Sequence, residues 1–232
     1  MEVSFILVEP AVPENVGAAA RAIKTMGFGD LRLVNPCDHL DMKARMLAHA
    51  SNDILENAKV YQSLEEAIKD VDFVFATSAK QRWVKLDIIP CNELTDFIEK
   101  KGNTINNIAI VFGREESGLT NEEMALCHRA STIPLKTQYP SLNLAQSVMI
   151  YAYTLSFLTI DHIQSAPKLQ NPDSLKALIS KVQSILSEVE LGPDKLINGR
   201  IIERITDLDA DDLKLLHSLS SALLEKISDK KD

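Results

Sequence analysis

The chain has 232 residues, 45% of them hydrophobic and 25% charged, which suits one α/β domain plus a small accessory domain and a core that needs no metal or disulfide. The formal net charge of −8 excludes a basic nucleic-acid-binding module, and splitting the chain finds none: residues 1–165 carry 15 Lys+Arg against 21 Asp+Glu, and residues 166–232 carry 10 against 12. Any nucleic-acid contact must therefore use a local patch. Cys37, Cys91 and Cys127 are odd in number and lack CxxC or Cys/His spacing, so they read as reduced thiols rather than staples or zinc ligands. The N-terminus lacks the basic flank of a secretory signal. The longest strongly apolar stretch, Val148 to Leu158, falls short of the roughly 20 residues that span a bilayer. The expectation is a soluble, cytoplasmic protein with no metal.

Val3–Val8 reads as a buried strand. After Pro13-Glu14-Asn15 a helix runs from Val16 to Met26, full of small residues (Gly17, Ala18, Ala19, Ala20, Ala22), and Gly27 and Gly29 stop it. Leu31–Val34 is a second strand. Residues 40–58 look helical and amphipathic, Leu64–Lys69 is a short helix, and Asp72–Thr77 is a buried strand. A polar loop with Lys80, Arg82, Trp83 and Lys85 follows, then a helix over Glu93–Lys101. Ile108–Phe112 is a strand leading into GREESGLT. Asn121–Cys127 is helical, and Ser131–Leu135 is a short strand. Strands alternating with helices predict a mostly parallel sheet covered on both faces.

From Asn143 to about Asp161 runs a helix apolar on nearly every side, which predicts burial on more than one face and hence a homodimer, with helix 16–26 as its neighbour across the interface. Residues 163–172, with Pro167 and Pro172, read as a linker between a domain over 1–162 and a helical extension over 173–232. In the extension, Leu175 to Val189 and Leu213 to Ile227 keep helical spacing, with Asp209 as an N-cap.

No GxGxxG follows the first strand, and there is no GxxxxGK[ST] and no GxSxG. The five histidines have no metal spacing. Three loops at strand ends stand out instead: N15-V-G-A-A-A-R21, F112-G-R-E115-E-S-G118-L and Y139-P-S141-L-N143-L-A. Singly, each has an ordinary explanation. Asn15, Ser141 and Asn143 serve equally as helix caps, Arg21 as a solvated helix residue, and Gly113 and Gly118 as turn residues.

In this order the three motifs, N-x-G-x-x-x-R, F-G-x-E-x-x-G-L and S-L-N-x-A, resemble those of the SpoU/TrmH branch of SPOUT RNA 2′-O-ribose methyltransferases over about residues 1–160. ARAIKTMGF, LRLVNP, ATSA and GREESGLTNEE narrow the resemblance to the TrmJ and LasT-like subgroup, whose helical extension the tail resembles more loosely. The resemblance implies an α/β SPOUT fold with a C-terminal trefoil knot and a pocket for S-adenosyl-L-methionine. In that pocket Thr77, Ser78 and Ala79 line one wall, and Gly113 admits the backbone close to the ligand. Ile133 meets the adenine, and Pro140, Ser141 and Leu142 close the loop. Arg21, with Asn15 and Ser141, is the implied catalytic set, Arg21 holding a phosphate and stabilising alkoxide charge. Glu115 and Asn143 brace the loops or meet RNA. Lys43, Arg45, Lys80, Arg82, Lys85 and Arg114 are candidate RNA contacts, and Trp83 a stacking residue. The implied substrate is tRNA, at an anticodon-loop nucleotide. The alternatives are rRNA, a non-catalytic RNA-binding protein that keeps the fold, and a flavodoxin-like nucleotide binder.

Overall fold

The structure is a computed structural model, and it describes residues 1–79, 87–136, 142–160, 174–189, 191 and 195–228. Its strands are β1 (Glu2–Val8), β2 (Asp30–Val34), β3 (Lys59–Tyr61), β4 (Phe73–Thr77), β5 (Ile88–Pro90), β6 (Asn107–Phe112) and β7 (Arg129–Thr132). The helices are α1 (Pro13–Thr25), α2 (Met42–Ala48), α3 (Asn52–Glu56), α4 (Leu64–Ala67), α5 (Leu94–Lys100), α6 (Asn121–Ala125), α7 (Leu144–Ile160), α8 (Leu175–Glu188), α9 (Lys195–Ile205) and α10 (Ala210–Ser228).

All strand pairings are parallel, in the order β3-β2-β1-β6-β4-β7-β5. Both faces of the central strands are covered, which is why their sequences read as continuous apolar runs rather than alternating ones. Ile6, Val8, Val74, Ala76, Ala109 and Val111 form one core face with Leu64, Ala67 and Met124. Side chains alternate along a strand, so Phe5, Leu7, Phe73, Phe75 and Ile110 project to the other face, and all are fully buried. Each such side chain contributes about 1.5–3 kcal/mol by leaving water. The register sets Leu7 opposite Phe112, Val111 opposite Ala76, and Thr77 opposite Ser131. The loops leaving β1, β6, β4 and β7 consequently open at one edge of the sheet.

Two strands escape the sequence pattern. β3 and β5 are edge strands of three residues, too short to show periodicity, and Pro90 is tolerated in β5 because an edge needs no second set of ladder donors. The amphipathic stretch expected as one helix over 40–58 is broken: His49 takes φ 50°, and a 3-10 turn over His49–Ser51 separates α2 from α3. One of the small residues of α1 is required by packing inside the chain. A Cβ at Gly17 would stand 2.0 Å from the carbonyl oxygen of Ala44 in α2.

The chain divides into two compact units, one of residues 1–96 and 107–165, the other of residues 97–106 and 166–232. The second unit therefore contains a segment from the middle of the sequence besides the tail. Its tail helices number one more than the spacing predicts, α9 lying between α8 and α10. Asp209 Oδ1 accepts from the amides of Asp211 (3.0 Å) and Asp212 (2.9 Å) and so caps α10. Lys101, only 1% exposed, donates from Nζ to the carbonyls of Thr206 and of Leu208 (2.5 Å) just past the end of α9, and lies 4.6 Å over the Phe97 ring. Among the described residues, no helix is long and apolar enough to cross a membrane.

Candidate functional site

A cavity of about 280 Å³ opens at the sheet edge where β4, β6 and β7 end. Thr77, Ser78 and Ala79 line it from β4, Gly113 to Leu119 from the loop after β6, Ile133 and Leu135 from beyond β7, and Leu142, Leu144, Ser147 and Tyr151 from α7 and the residues before it. Its base is pinned by hydrogen bonds between neighbouring strand ends. Thr77 Oγ1 donates to Val111 O (3.0 Å), Ser78 N to Ser131 O (2.9 Å), and the buried Tyr151 hydroxyl to Ser131 Oγ (3.0 Å). Burial pushes the Tyr151 phenol above its usual range, so it stays a neutral donor.

The loop after β6 is a tight hairpin. Arg114 and Gly118 exchange backbone hydrogen bonds at 3.3 and 2.9 Å, and Gly118 takes φ 70°. A Cβ on Gly113 would lie 2.1 Å from Gly118 C and 2.2 Å from Leu119 N. The glycine is thus required by its own loop. That requirement holds whether or not a ligand also approaches the residue.

Arg114 does not offer its charge to solvent either. Its guanidinium is bidentate to Glu123 (3.0 Å twice) and bonded to Glu9 at 2.8 Å, and those carboxylates raise its already high pKa. Glu123 is also the reciprocal partner in a capping box with Thr120, which starts α6. Arg114 is therefore a brace between β1, the hairpin and α6.

Glu115 ties the loops together. Its carboxylate accepts from the amides of Ala11 (3.1 Å) and Val12 (3.4 Å), at the start of α1, and from Asn15 Nδ2 (3.0 Å). Burial alone would raise its pKa, but the hydrogen bonds from Asn15 and from backbone amides outweigh it and hold the carboxyl below the usual range. Asn15 Oδ1 in turn accepts from Asn143 Nδ2 (2.7 Å), and Asn143 Oδ1 caps α7 by accepting from Ala145 N (2.9 Å). One residue from each of the three motif loops stands in this chain.

Asn15, Asn143 and Arg21 do not line the cavity. Arg21 is exposed on α1 and makes no hydrogen bond or ion pair among the described residues, while Glu14, its nearest acidic neighbour in sequence, pairs with Lys43 at 3.4 Å. Arg45 pairs with Glu56 at 2.7 Å. Lys80, Arg82, Trp83, Lys85, Pro140 and Ser141 lie outside the described residues. Sequence reasoning missed Phe112, Glu116, Met124, Ser147 and Tyr151 in the lining. Ser147 and Tyr151 follow Leu144 at helical spacing of three and seven, a signal that was available once the start of α7 was assigned to the site.

Residues 2–153 match the SpoU rRNA methylase family, and residues 172–227 match the C-terminal domain of the tRNA/rRNA methyltransferase LasT. The chain belongs to the SpoU methylase family. It is an RNA methyltransferase of that family, with S-adenosylmethionine as methyl donor. Among SpoU relatives, an uncharacterised tRNA/rRNA methyltransferase LasT from Escherichia coli K12 is 41% identical over 94% of this chain and 96% of its own. The tRNA (cytidine-2′-O-)-methyltransferase TrmJ of Methanocaldococcus jannaschii is 36% identical over 87% of this chain and 91% of its own. The crystal structure of TrmJ from Z. mobilis ZM4 superposes with a TM-score of 0.65 at 28% identity, covering 96% of this chain and 99% of that one.

Proposed function

We propose that this SpoU methylase transfers the methyl group of S-adenosyl-L-methionine to a ribose 2′-hydroxyl of tRNA, at an anticodon-loop nucleotide, and that it works as a cytoplasmic homodimer. The observation that carries the chemistry is the cavity: apolar walls, neighbouring backbone amides and carbonyls, and carboxylates with no free cation among the described lining. Such a lining suits a flat apolar base joined to a positively charged sulfonium and opposes a polyphosphate, which counts against the flavodoxin-like nucleotide binder. Thr77, Ser78, Ala79, Gly113, Ile133 and Leu142 would hold the donor, with Pro140 and Ser141 closing over it.

The bound sulfonium supplies the activated leaving group, so the protein's work is to orient the ribose and ease loss of its proton. Arg21 meets the adjoining phosphate and stabilises negative charge developing on the 2′-oxygen; its lack of a hydrogen bond or ion pair among the described residues suits that role. Asn15, held between Glu115 and Asn143, fixes the first turn of α1 and so the helix that carries Arg21. Ser141 orients the nucleophile.

For the dimer, α7 supplies the support. Tyr153 and Phe157 are 56% and 48% exposed and stack edge to face on one side of it, with ring centroids 5.3 Å apart. A pair of exposed aromatic rings on a helix otherwise committed to the core is the kind of surface that a second copy covers. The second reading is rRNA, favoured by the description of the matching family. Incubation with methyl-labelled donor and either unfractionated tRNA or rRNA separates the two. Label entering tRNA alone supports the proposal, and label entering rRNA alone replaces it with the second reading.

A further inference from the structure

Three charged side chains line the cavity among the described residues, and they are compensated differently. Arg114 is matched twice over, by Glu9 and Glu123. Glu115 is satisfied by uncharged donors only, the two amides and Asn15, and keeps its full negative charge. Glu116 is exposed and makes no hydrogen bond or ion pair among the described residues. Among the described lining residues the uncompensated charge is therefore negative, at two successive positions of one tight hairpin.

We infer that Glu116, together with Glu115, makes the cavity selective for the charge of the donor, so that it holds a sulfonium more tightly than the neutral thioether left after transfer. This rests on the methyl-donor reading above. In the reaction the ribose oxygen forms a bond to the methyl carbon as the carbon–sulfur bond breaks. The electron pair stays on sulfur, and the hydroxyl proton leaves to solvent. The occupant of the cavity thereby loses one positive charge, while the two carboxylates keep theirs.

An attraction present before transfer and absent after it acts on the two ligands unequally, and at a partly solvated rim its scale is several-fold in affinity. Equal binding of donor and product would leave the product competing with fresh donor. A charge that discriminates between them instead speeds exchange, a step that commonly limits turnover. Glu116 is a specificity-determining residue in this scheme. Because it has no hydrogen bond or ion pair among the described residues, it is separable from the Glu115 brace by substitution.

Calorimetric titration of the full chain with S-adenosylmethionine and with S-adenosylhomocysteine tests the inference in wild type, Glu116→Gln and Glu116→Asp. Glu116→Gln is expected to weaken the sulfonium ligand about three- to tenfold and the thioether less than about twofold. Glu116→Asp retains part of the preference, and high salt narrows the gap between wild type and Glu116→Gln. A Glu116→Gln variant that weakens both ligands by the same factor, or neither, overturns the inference and leaves the donor assignment standing. Wild-type protein that binds neither ligand overturns the donor assignment and this inference with it.

Discussion

Asn15 bonds to Glu115 and Asn143 at once, its amide nitrogen donating to one at 3.0 Å and its carbonyl oxygen accepting from the other at 2.7 Å. Three segments, the first lying 100 and 128 residues from the other two in sequence, are thereby fixed at one sheet edge by two side-chain hydrogen bonds. Asn143 also caps α7. Asn143→Ala removes the cap and frees Asn15, and each such loss is worth about 1 kcal/mol. A destabilisation of about 1–2 kcal/mol by urea denaturation is expected, with a larger relative loss of methylation because α1 is no longer held. Stability and activity both at wild-type level would remove this chain of bonds from the account.

Glu115 adds a pH dependence whose sign is fixed. Its folded-state pKa lies below the ordinary value of 4.5, so its contribution to stability is fully present above that value and is lost as pH falls through the folded pKa. Acid unfolding of wild type should therefore be steeper below about pH 4.5 than that of Glu115→Gln, which is less stable at neutral pH and has no such group to protonate. Parallel acid-unfolding curves for the two proteins would contradict the assignment.

Gly113 is expected to be intolerant for a reason of folding. Even Ala would press its Cβ on the backbone of Gly118 and Leu119 at about 2 Å, where no flexible side chain can yield. Gly113→Ala should lower stability by at least ~2 kcal/mol, the scale of overpacking against a rigid neighbour, and should shift the melting temperature whether or not donor is present. A variant of normal stability with impaired donor binding alone would restore the ligand-approach reading.

In the second unit, Lys101 is the residue to change. Its ammonium meets the carbonyls of Thr206 and Leu208, and Lys101→Met leaves both without that donor. A loss of about 1–3 kcal/mol is expected, the cost of unsatisfied buried polar groups. Thermal unfolding followed by a probe in the tail would detect it. An unchanged midpoint would mean that water or another donor replaces the lysine.

The fold was largely legible because the central strands and α1, α6 and α7 are long or strongly marked. Val3–Val8 is almost continuously apolar, and the helix from Asn143 is apolar on nearly every side. The edge strands β3 and β5 were not legible, since three residues carry no period. Nor was the break at His49, a backbone turn in a sequence that reads as helix on both sides. In the site, the motif loops were visible as residues but their couplings were not. Nothing local to GREESGLT says that Arg114 is spent on Glu9, 105 residues away. That fact depends on which elements become neighbours. The resemblance supplied the grouping of the three loops, and the structure supplied the bonds between them.

Methyl transfer to a ribose 2′-hydroxyl, with Arg21 required, can be followed by nuclease digestion and mass spectrometry of tRNA incubated with S-adenosylmethionine and wild type, Arg21→Lys or Arg21→Ala. The prediction is a 2′-O-methylated nucleoside with wild type and a rate at least ~10²-fold lower for both variants, since the planar guanidinium aligns phosphate and oxygen and an ammonium does not. Donor binding should be unchanged in all three. A methyl group found on a base, or Arg21→Ala transferring at the wild-type rate, would contradict it.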